Sequence, residues 1–457
     1  MPGVLFDDAL PALVSVLASH GGPEFVEKGT VLRDATGRLA FFARAMRPAP
    51  PDANDDIPPE APKSDPLTQE VSAALGCYAR AHRPVVYMDE VGASAILDSP
   101  ERIPVQVGNL FCNLIDRRIV GSGWLAHPVA GPVFPPRLVF ASLKGGVGRS
   151  TALAVVAADL ARRHRNVLVV DLDLEAPGIG HLMLDDERLP AFGVIDFLVE
   201  NGIGGVSDEW LPDFVGTSHL TEPGGGRVDV MPAIGRKSAA APENVMAKLA
   251  RAMVEDIEEE RAVSVGQQVL AMLDRVAALA SYDAVLIDSR AGLAELTAPA
   301  LIGLGATVLL FGTAQTQTIE GYRALFAALR WLAQRDRMQN GAGEWRMALR
   351  PVYAKSSLNA ATEQRLRDDW YELFSEYLYD AELENEGDAE LDALRFARED
   401  RTAPHWPLVV PFNPAFIDFD PARVPGQLSA AFYEQSFRPL LNAVDAILVA
   451  SRTAPSS

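Results

Sequence analysis

The sequence predicts a doubly wound α/β domain with a mostly parallel sheet, preceded by a small α+β domain. Three observations carry this expectation. At 457 residues the chain is two to three times the length of one typical domain. From Arg137 onward, short apolar runs rich in β-branched residues alternate with helical patterns, as in strands buried on both faces and covered by helices. The first of these runs enters a glycine-rich stretch, Lys144-Gly-Gly-Val-Gly-Arg-Ser-Thr151, and a helical pattern follows it at once.

In the first domain, set at residues 1–135, a helix is expected over Asp7–Ser19. A hairpin follows over Thr30–Ala43, with its turn at Ala35–Gly37. Residues 47–66 hold seven prolines and no periodicity, which reads as a loop. A helix over Leu67–His82, a strand within Pro84–Asp89 and a strand over Ile103–Leu114 complete the domain, and turn-rich Gly121–Pro136 closes it. None of these pieces announces chemistry.

The second domain, residues 136–452, places strands at Leu138–Ser142, Asn166–Asp171, Val228–Pro232, Tyr282–Asp288, Ala306–Gly312 and Met347–Tyr353. Helices are expected over Thr151–Arg163, Pro242–Ala280 and Thr318–Arg335, with a closing helix over Leu428–Ser451. Residues 356–405 read as an insertion with acidic residues at alternate positions from Asp380 to Asp392. A calcium loop starting at Glu382 would need its closing glutamate at Ala393, so a solvated acidic loop is the reading.

Composition excludes several classes of function. The hydrophobic fraction of 48% with 22% charged residues is that of an ordinary globular protein, and no apolar run reaches the roughly 18 residues that span a bilayer. A net charge of −20 without a dense basic cluster weighs against nonspecific DNA binding. The closing helix lacks the basic face of a membrane-lying helix, so no membrane anchor is expected. The first residues carry Asp7 and Asp8 and no basic leader. The two cysteines, Cys77 and Cys112, have no metal-ligand spacing and read as buried thiols, so a cytoplasmic location is expected.

The chemistry lies in the glycine-rich stretch. Gly145, Gly146, Val147 and Gly148 let backbone N–H groups turn inward on phosphate oxygens, and the helix that follows adds the positive end of its dipole. Arg149 stands where such a loop places lysine. Ser150 holds the position from which a hydroxyl ligates magnesium, and Thr151 lies beside it.

KGGVGxST resembles the deviant Walker A loop of the MinD/ParA class of P-loop ATPases, so the second domain is expected to be a P-loop NTPase domain. Further matches follow in order: Val169–Gly178 resembles that class's strand and switch I segment, Val228–Gly235 its "LxVLPAG" strand, and Tyr282–Asp288 its Walker B strand. The resemblance implies ATP and Mg2+ as cofactors. It implies that Lys144 reaches across a nucleotide-dependent homodimer to the partner's phosphates, that Asp173 orients the attacking water, and that Asp171 and Asp288 serve the magnesium together with Ser150. It further implies a protein partner of unknown identity.

Two departures qualify this picture. Arg149 is longer, planar and bulkier than the lysine it replaces, so nucleotide binding is expected to survive more surely than hydrolysis. Where the class usually has "TPP" after Walker B, this chain has Ser289-Arg290-Ala-Gly292. Arg290 has two readings of equal weight: a second cation near the γ-phosphate or the dimer seam, or a partner for a structural carboxylate. Together, KGGVGR and DSRAG resemble the KGGVGR-motif variants of bacterial multi-gene conflict or signalling systems. Pro351–Lys355 lacks the asparagine with which that class ends a late strand. Asn413 in Val410–Pro414 either reads adenine or shapes a turn.

Overall fold

The computed structural model describes residues 4–48, 65–118, 121–129, 133–220, 225–258, 261–339, 344–380 and 394–453. Most of the proline-rich stretch and the alternating carboxylates after Asp380 lie outside them. The chain divides into two compact units, residues 1–122 with 331–341, and residues 123–330 with 342–457.

The first unit contains α1 (Phe6–Lys28), β1 (Thr30–Arg33), β2 (Leu39–Ala43), α2 (Pro66–Leu75), β3 (Val85–Tyr87), α3 (Ala93–Leu97), β4 (Ile103–Val107) and β5 (Leu110–Asp116). Its sheet runs β3-β2-β1-β5-β4. β1 pairs antiparallel with β2 through Thr30↔Phe42 and parallel with β5 through Thr30↔Asn113. The hairpin turn is fixed by the Asp34 carboxylate, which accepts from the backbone N–H of Thr36 and Arg38 at 2.9 and 3.0 Å. The expected strand over Ile103–Leu114 is two strands instead, because Gly108 turns the chain with φ +58°.

The second unit contains β6 (Arg137–Ser142), α4 (Arg149–Arg162), β7 (Val167–Asp171), α5 (Ile179–Met183), α6 (Val194–Gly204), β8 (Gly216–Thr217), β9 (Val228–Met231), α7 (Arg236–Ala240) and α8 (Val245–Ala252). Then come β10 (Asp256–Glu258), β11 (Arg261–Val263), α9 (Val265–Ala277), β12 (Ala284–Ala291), β13 (Thr307–Gly312), α10 (Thr316–Gln339, whose residues from Trp331 fall in the first unit), β14 (Leu349–Ser356), α11 (Ala360–Tyr377), β15 (Leu408–Pro411) and α12 (Ala430–Thr453). The eight-stranded sheet has the order β15-β14-β13-β6-β12-β7-β9-β8. Every pairing in it is parallel except that of β8 with β9. This is the doubly wound, mostly parallel sheet that the sequence predicts.

Residues 123–136, expected to close the first domain, belong with the second unit. Val129 donates its backbone N–H to Ile302 at 2.8 Å, and Gly123 packs beside Ala298 and Pro299. The single helix expected over Pro242–Ala280 is broken into α8, the β10–β11 hairpin and α9. Helix restarts at Ser264, whose Oγ accepts from Gln267 N–H at 3.2 Å while the Gln267 side chain accepts from Ser264 N–H at 2.9 Å. Cys112 is buried, but Cys77 is exposed, contrary to the expectation that both are buried. Among the described residues no helix is long and apolar enough to cross a membrane.

The core that positions the site lies around α4. Its alanines (152, 154, 157, 158 and 161) let the helix approach β6, β7 and β12 closely, and it is buried from Ala152 to Ala161. On its other side Tyr433 of α12 donates to Asp159 at 3.3 Å, and Phe437, Leu440, Leu441, Val444 and Leu448 join the same cluster. Leu286 of β12 lies fully buried under this layer. Leu286→Ala is expected to cost about 3 kcal/mol in urea unfolding; a loss below about 1 kcal/mol would show that the sheet does not depend on that packing.

Candidate functional site

β6 delivers the chain to the C-terminal edge of the sheet at Ser142, and α4 begins seven residues later. The turn between them requires positive φ at Gly146 (+72°) and at Gly148 (+89°), the residue that caps α4. An added Cβ at Gly145, Gly146 or Gly148 would meet nothing within 4 Å, so the loop faces open space. Val147 turns inward as its buried anchor. The loop, Ser150, Thr151, Ser142, Asp173, Ala176, Arg290 and Ala291 line a cleft of about 480 Å³. Glycine backbone turning at a helix N-terminus beneath an open cleft suits an anion.

Register sets the electrostatics. Asp288 of β12 pairs directly with Asp171 of β7, so two carboxylates meet at neighbouring strand ends. Both are fully buried, and Asp173 follows two residues beyond Asp171. Burial and the neighbouring Asp288 push the Asp171 carboxyl up to about 8, against two backbone N–H bonds that favour its charged form. Burial likewise raises Asp288, opposed by Arg149 and the Ser150 hydroxyl.

Arg149 is the cation of this cluster. Its Nε donates to Asp288 Oδ1 at 2.5 Å, its Nη2 to Asp173 Oδ2 at 2.9 Å and its Nη1 to Ser142 Oγ at 3.2 Å. Burial disfavours the charged guanidinium, yet Asp288 and Asp173 outweigh it and hold Arg149 above the ordinary arginine value. The planar fork spans three acceptors, which a lysine ammonium could not do from the same backbone position.

The magnesium donor set expected from sequence is brought together but is committed within the protein. Ser150 Oγ donates to Asp288 Oδ2 at 2.6 Å, and the other Asp288 oxygen is held by Arg149. Asp171 accepts backbone N–H from Asp173 at 3.0 Å and from Gly178 at 3.2 Å, so it shapes the loop after β7. Among the described residues no group of three or more acidic, histidine or cysteine side chains has a metal-holding arrangement. As it stands, the donor set does not fit a divalent ion, because Arg149, Ser150 and backbone N–H groups already occupy its oxygens.

Other expected residues are placed as follows. Lys144 is half-buried at the rim and donates to Gln315 at 3.2 Å and also to Gln317. Arg290 lines the cleft and forms an ion pair with Glu175. Asn413 is outside the cleft lining. Its side-chain oxygen accepts from Ala415 N–H at 3.0 Å and its amide donates to Ser436 at 3.0 Å, so it shapes a turn. Sequence reasoning missed Lys355, which takes left-handed φ (+53°) at the end of β14 and donates to the Gly146 carbonyl at 2.6 Å. It also missed Ser142 as a partner of Arg149; the serine ending the strand before the loop was the available signal.

Comparison with known proteins agrees with this construction. Residues 138–285 match the family described as the CobQ/CobB/MinD/ParA nucleotide binding domain. No curated protein matches the chain. Solved structures similar at low identity include the following three. A ParA family ATPase from Chlorobium tepidum TLS is 14% identical, with 69% of this chain and 99% of that chain covered and a TM-score of 0.41. MinD cell division protein of Aquifex aeolicus is 15% identical, covering 68% and 97%, with a TM-score of 0.39. A putative plasmid partition protein from Borrelia burgdorferi B31, bound to AMPPNP, is 16% identical, covering 69% and 99%, with a TM-score of 0.39.

Removing Arg149 leaves buried carboxylates without their counter-charge. Arg149→Met is expected to destabilise the protein by about 3–5 kcal/mol in urea unfolding. Combining it with Asp173→Asn and Asp288→Asn is expected to recover much of that loss. Additive losses across the three changes would contradict the cluster as an interacting unit.

Proposed function

We propose that this chain is an ATP-binding switch with slow turnover, forming a nucleotide-dependent homodimer that acts on a protein partner. The observation that carries the reading is the turned glycine loop between β6 and α4, open to a cleft of about 480 Å³ and backed by a buried guanidinium. The cleft has the anion-binding backbone, and Arg149, Lys144 and Arg290 lie in it or at its rim. Lys144 is half-buried and its ammonium is held by two glutamine side chains, which suits a residue released to a second subunit's phosphates. Asp173 is the candidate for orienting water, yet one of its oxygens is bound to Arg149. Water activation therefore competes with an ion pair, and turnover is slow.

That same contact favours a second reading, in which the protein holds nucleotide without hydrolysing it and scaffolds an assembly. Both readings fit the KGGVGR-motif variants of bacterial conflict or signalling systems. The net charge of −20 makes a DNA-bound positioning role the least favoured.

ATP titration calorimetry, turnover and light-scattering mass on wild type, Arg149→Lys and Asp173→Ala test the proposal. Wild type is expected to bind ATP and double its mass, with turnover that Asp173→Ala abolishes. Binding without turnover, together with hydrolysis gained in Arg149→Lys, selects the scaffold. A folded wild type that neither binds ATP nor changes mass would overturn both.

A further inference from the structure

The three carboxylates of the cluster have six oxygens, and each accepts a hydrogen bond from the protein itself. Asp171 accepts from the backbone N–H of Asp173 and Gly178. Asp173 accepts from Ala176 N–H at 3.2 Å and from Arg149. Asp288 accepts from Arg149 and Ser150. A hard divalent cation takes oxygen ligands, and here Asp173 and Asp288 converge on a guanidinium instead, while the Ser150 hydroxyl is spent on Asp288 and Asp171 on backbone N–H groups.

We propose that Arg149 is the resident cation of this site, standing in the place of a divalent metal, so that the protein binds nucleotide phosphates without one. The geometry argues for a built site and against an incidental contact. Arg149 is 8% exposed, and Asp288 and Asp173 are 1% and 6% exposed. Two nitrogens of one guanidinium meet carboxylates from two different segments, the end of β12 and the loop after β7, and the third meets the Ser142 hydroxyl. A cation covalently fixed at the first residue of α4 cannot be removed by chelation. It neutralises the acids that would otherwise repel an incoming phosphate, while the glycine loop and helix N-terminus supply the direct N–H donors.

The consequence is a concealed metal site. Shortening Arg149 releases one oxygen each on Asp288 and Asp173, beside the hydroxyls of Ser142 and Ser150, in a cleft open to ions. The assignment of the cation stands without nucleotide; its second half, metal-free binding, rests on the nucleotide reading above.

The test uses the full chain without nucleotide, with MnCl2 as the probe. Wild type is expected to melt at the same temperature with and without Mn2+. Arg149→Ala is expected to melt lower and to regain about 5 °C or more with saturating Mn2+, with one ion bound per chain by electron paramagnetic resonance. Adding Asp288→Asn to Arg149→Ala is expected to abolish that response. If Arg149→Ala does not fold in chelator, the neutral Arg149→Gln is compared in the same way, and recovery of folded Arg149→Ala on refolding in Mn2+ counts as the gain.

A one-to-one Mn2+ site in wild type, or no Mn2+ response in the folded variants, overturns the assignment. A fluorescent ATP analogue then addresses the second half. Wild-type affinity is expected to change less than about threefold between Mg2+ and EDTA. Loss of tenfold or more in EDTA refutes metal-free binding. No binding in either buffer refutes the nucleotide reading, and the Mn2+ result then stands alone as support for the cation assignment.

Discussion

A buried guanidinium bonded to two buried carboxylates is the constraint around which this site is built. The parallel pairing of β12 with β7 brings Asp288 and Asp171 to the same level of the sheet. Asp173 adds a third acid on the loop beyond. Such a density of like charge in a buried place requires either protonation or a fixed cation. The chain supplies the cation from the first residue of α4, and in doing so ties the phosphate loop, the end of β12 and the loop after β7 into one unit. The alanine-rich face of α4 is the complementary requirement, because only a helix seated closely on the sheet carries Arg149 to within 2.5 Å of Asp288.

This arrangement couples structure and chemistry in a specific way. The two acids of a phosphate cleft best placed to handle water and cation are also the acids that neutralise Arg149. Any state in which Asp173 turns to a water molecule is a state in which the guanidinium gives up part of its pairing. Under the proposed function, the energetic cost of that exchange in a low-dielectric setting would slow turnover relative to binding. Lys144 and Lys355 sit outside the cluster: one on glutamines at the rim, the other on the loop's own Gly146 carbonyl. Both remain free to respond to phosphate without breaking the buried pairs.

Much of the second unit was legible in sequence because its signals are local. Strand runs such as Val167–Asp171 and Ala284–Asp288 are apolar on both faces, and the glycines at 146 and 148 mark backbone that only glycine takes readily. What escaped was set by long-range pairing or by single polar residues. β8 and β15 are too short to show a period. The break within 242–280 depends on a serine–glutamine capping box that a helical pattern on either side conceals. At the site, the residue types and positions on the loop were readable, and so was the anomaly of Arg149. Its partners were not, because Asp288 is 139 residues away in sequence and its pairing is a product of sheet order. Asn413 had two meanings in sequence, and the contact with Ser436 of α12, visible only in the fold, selects the turn.

The most direct measurement is the 15N spectrum of arginine side chains in the full chain, with the Arg149 Nε–Hε signal assigned by its loss in Arg149→Lys. A guanidinium locked between Asp173 and Asp288 gives an Nε–Hε proton that exchanges slowly with solvent and sharpens into a single downfield resonance, and Asp288→Asn shifts it and speeds its exchange. An Arg149 signal that exchanges as fast as those of surface arginines, or that is indifferent to Asp288→Asn, would contradict the account.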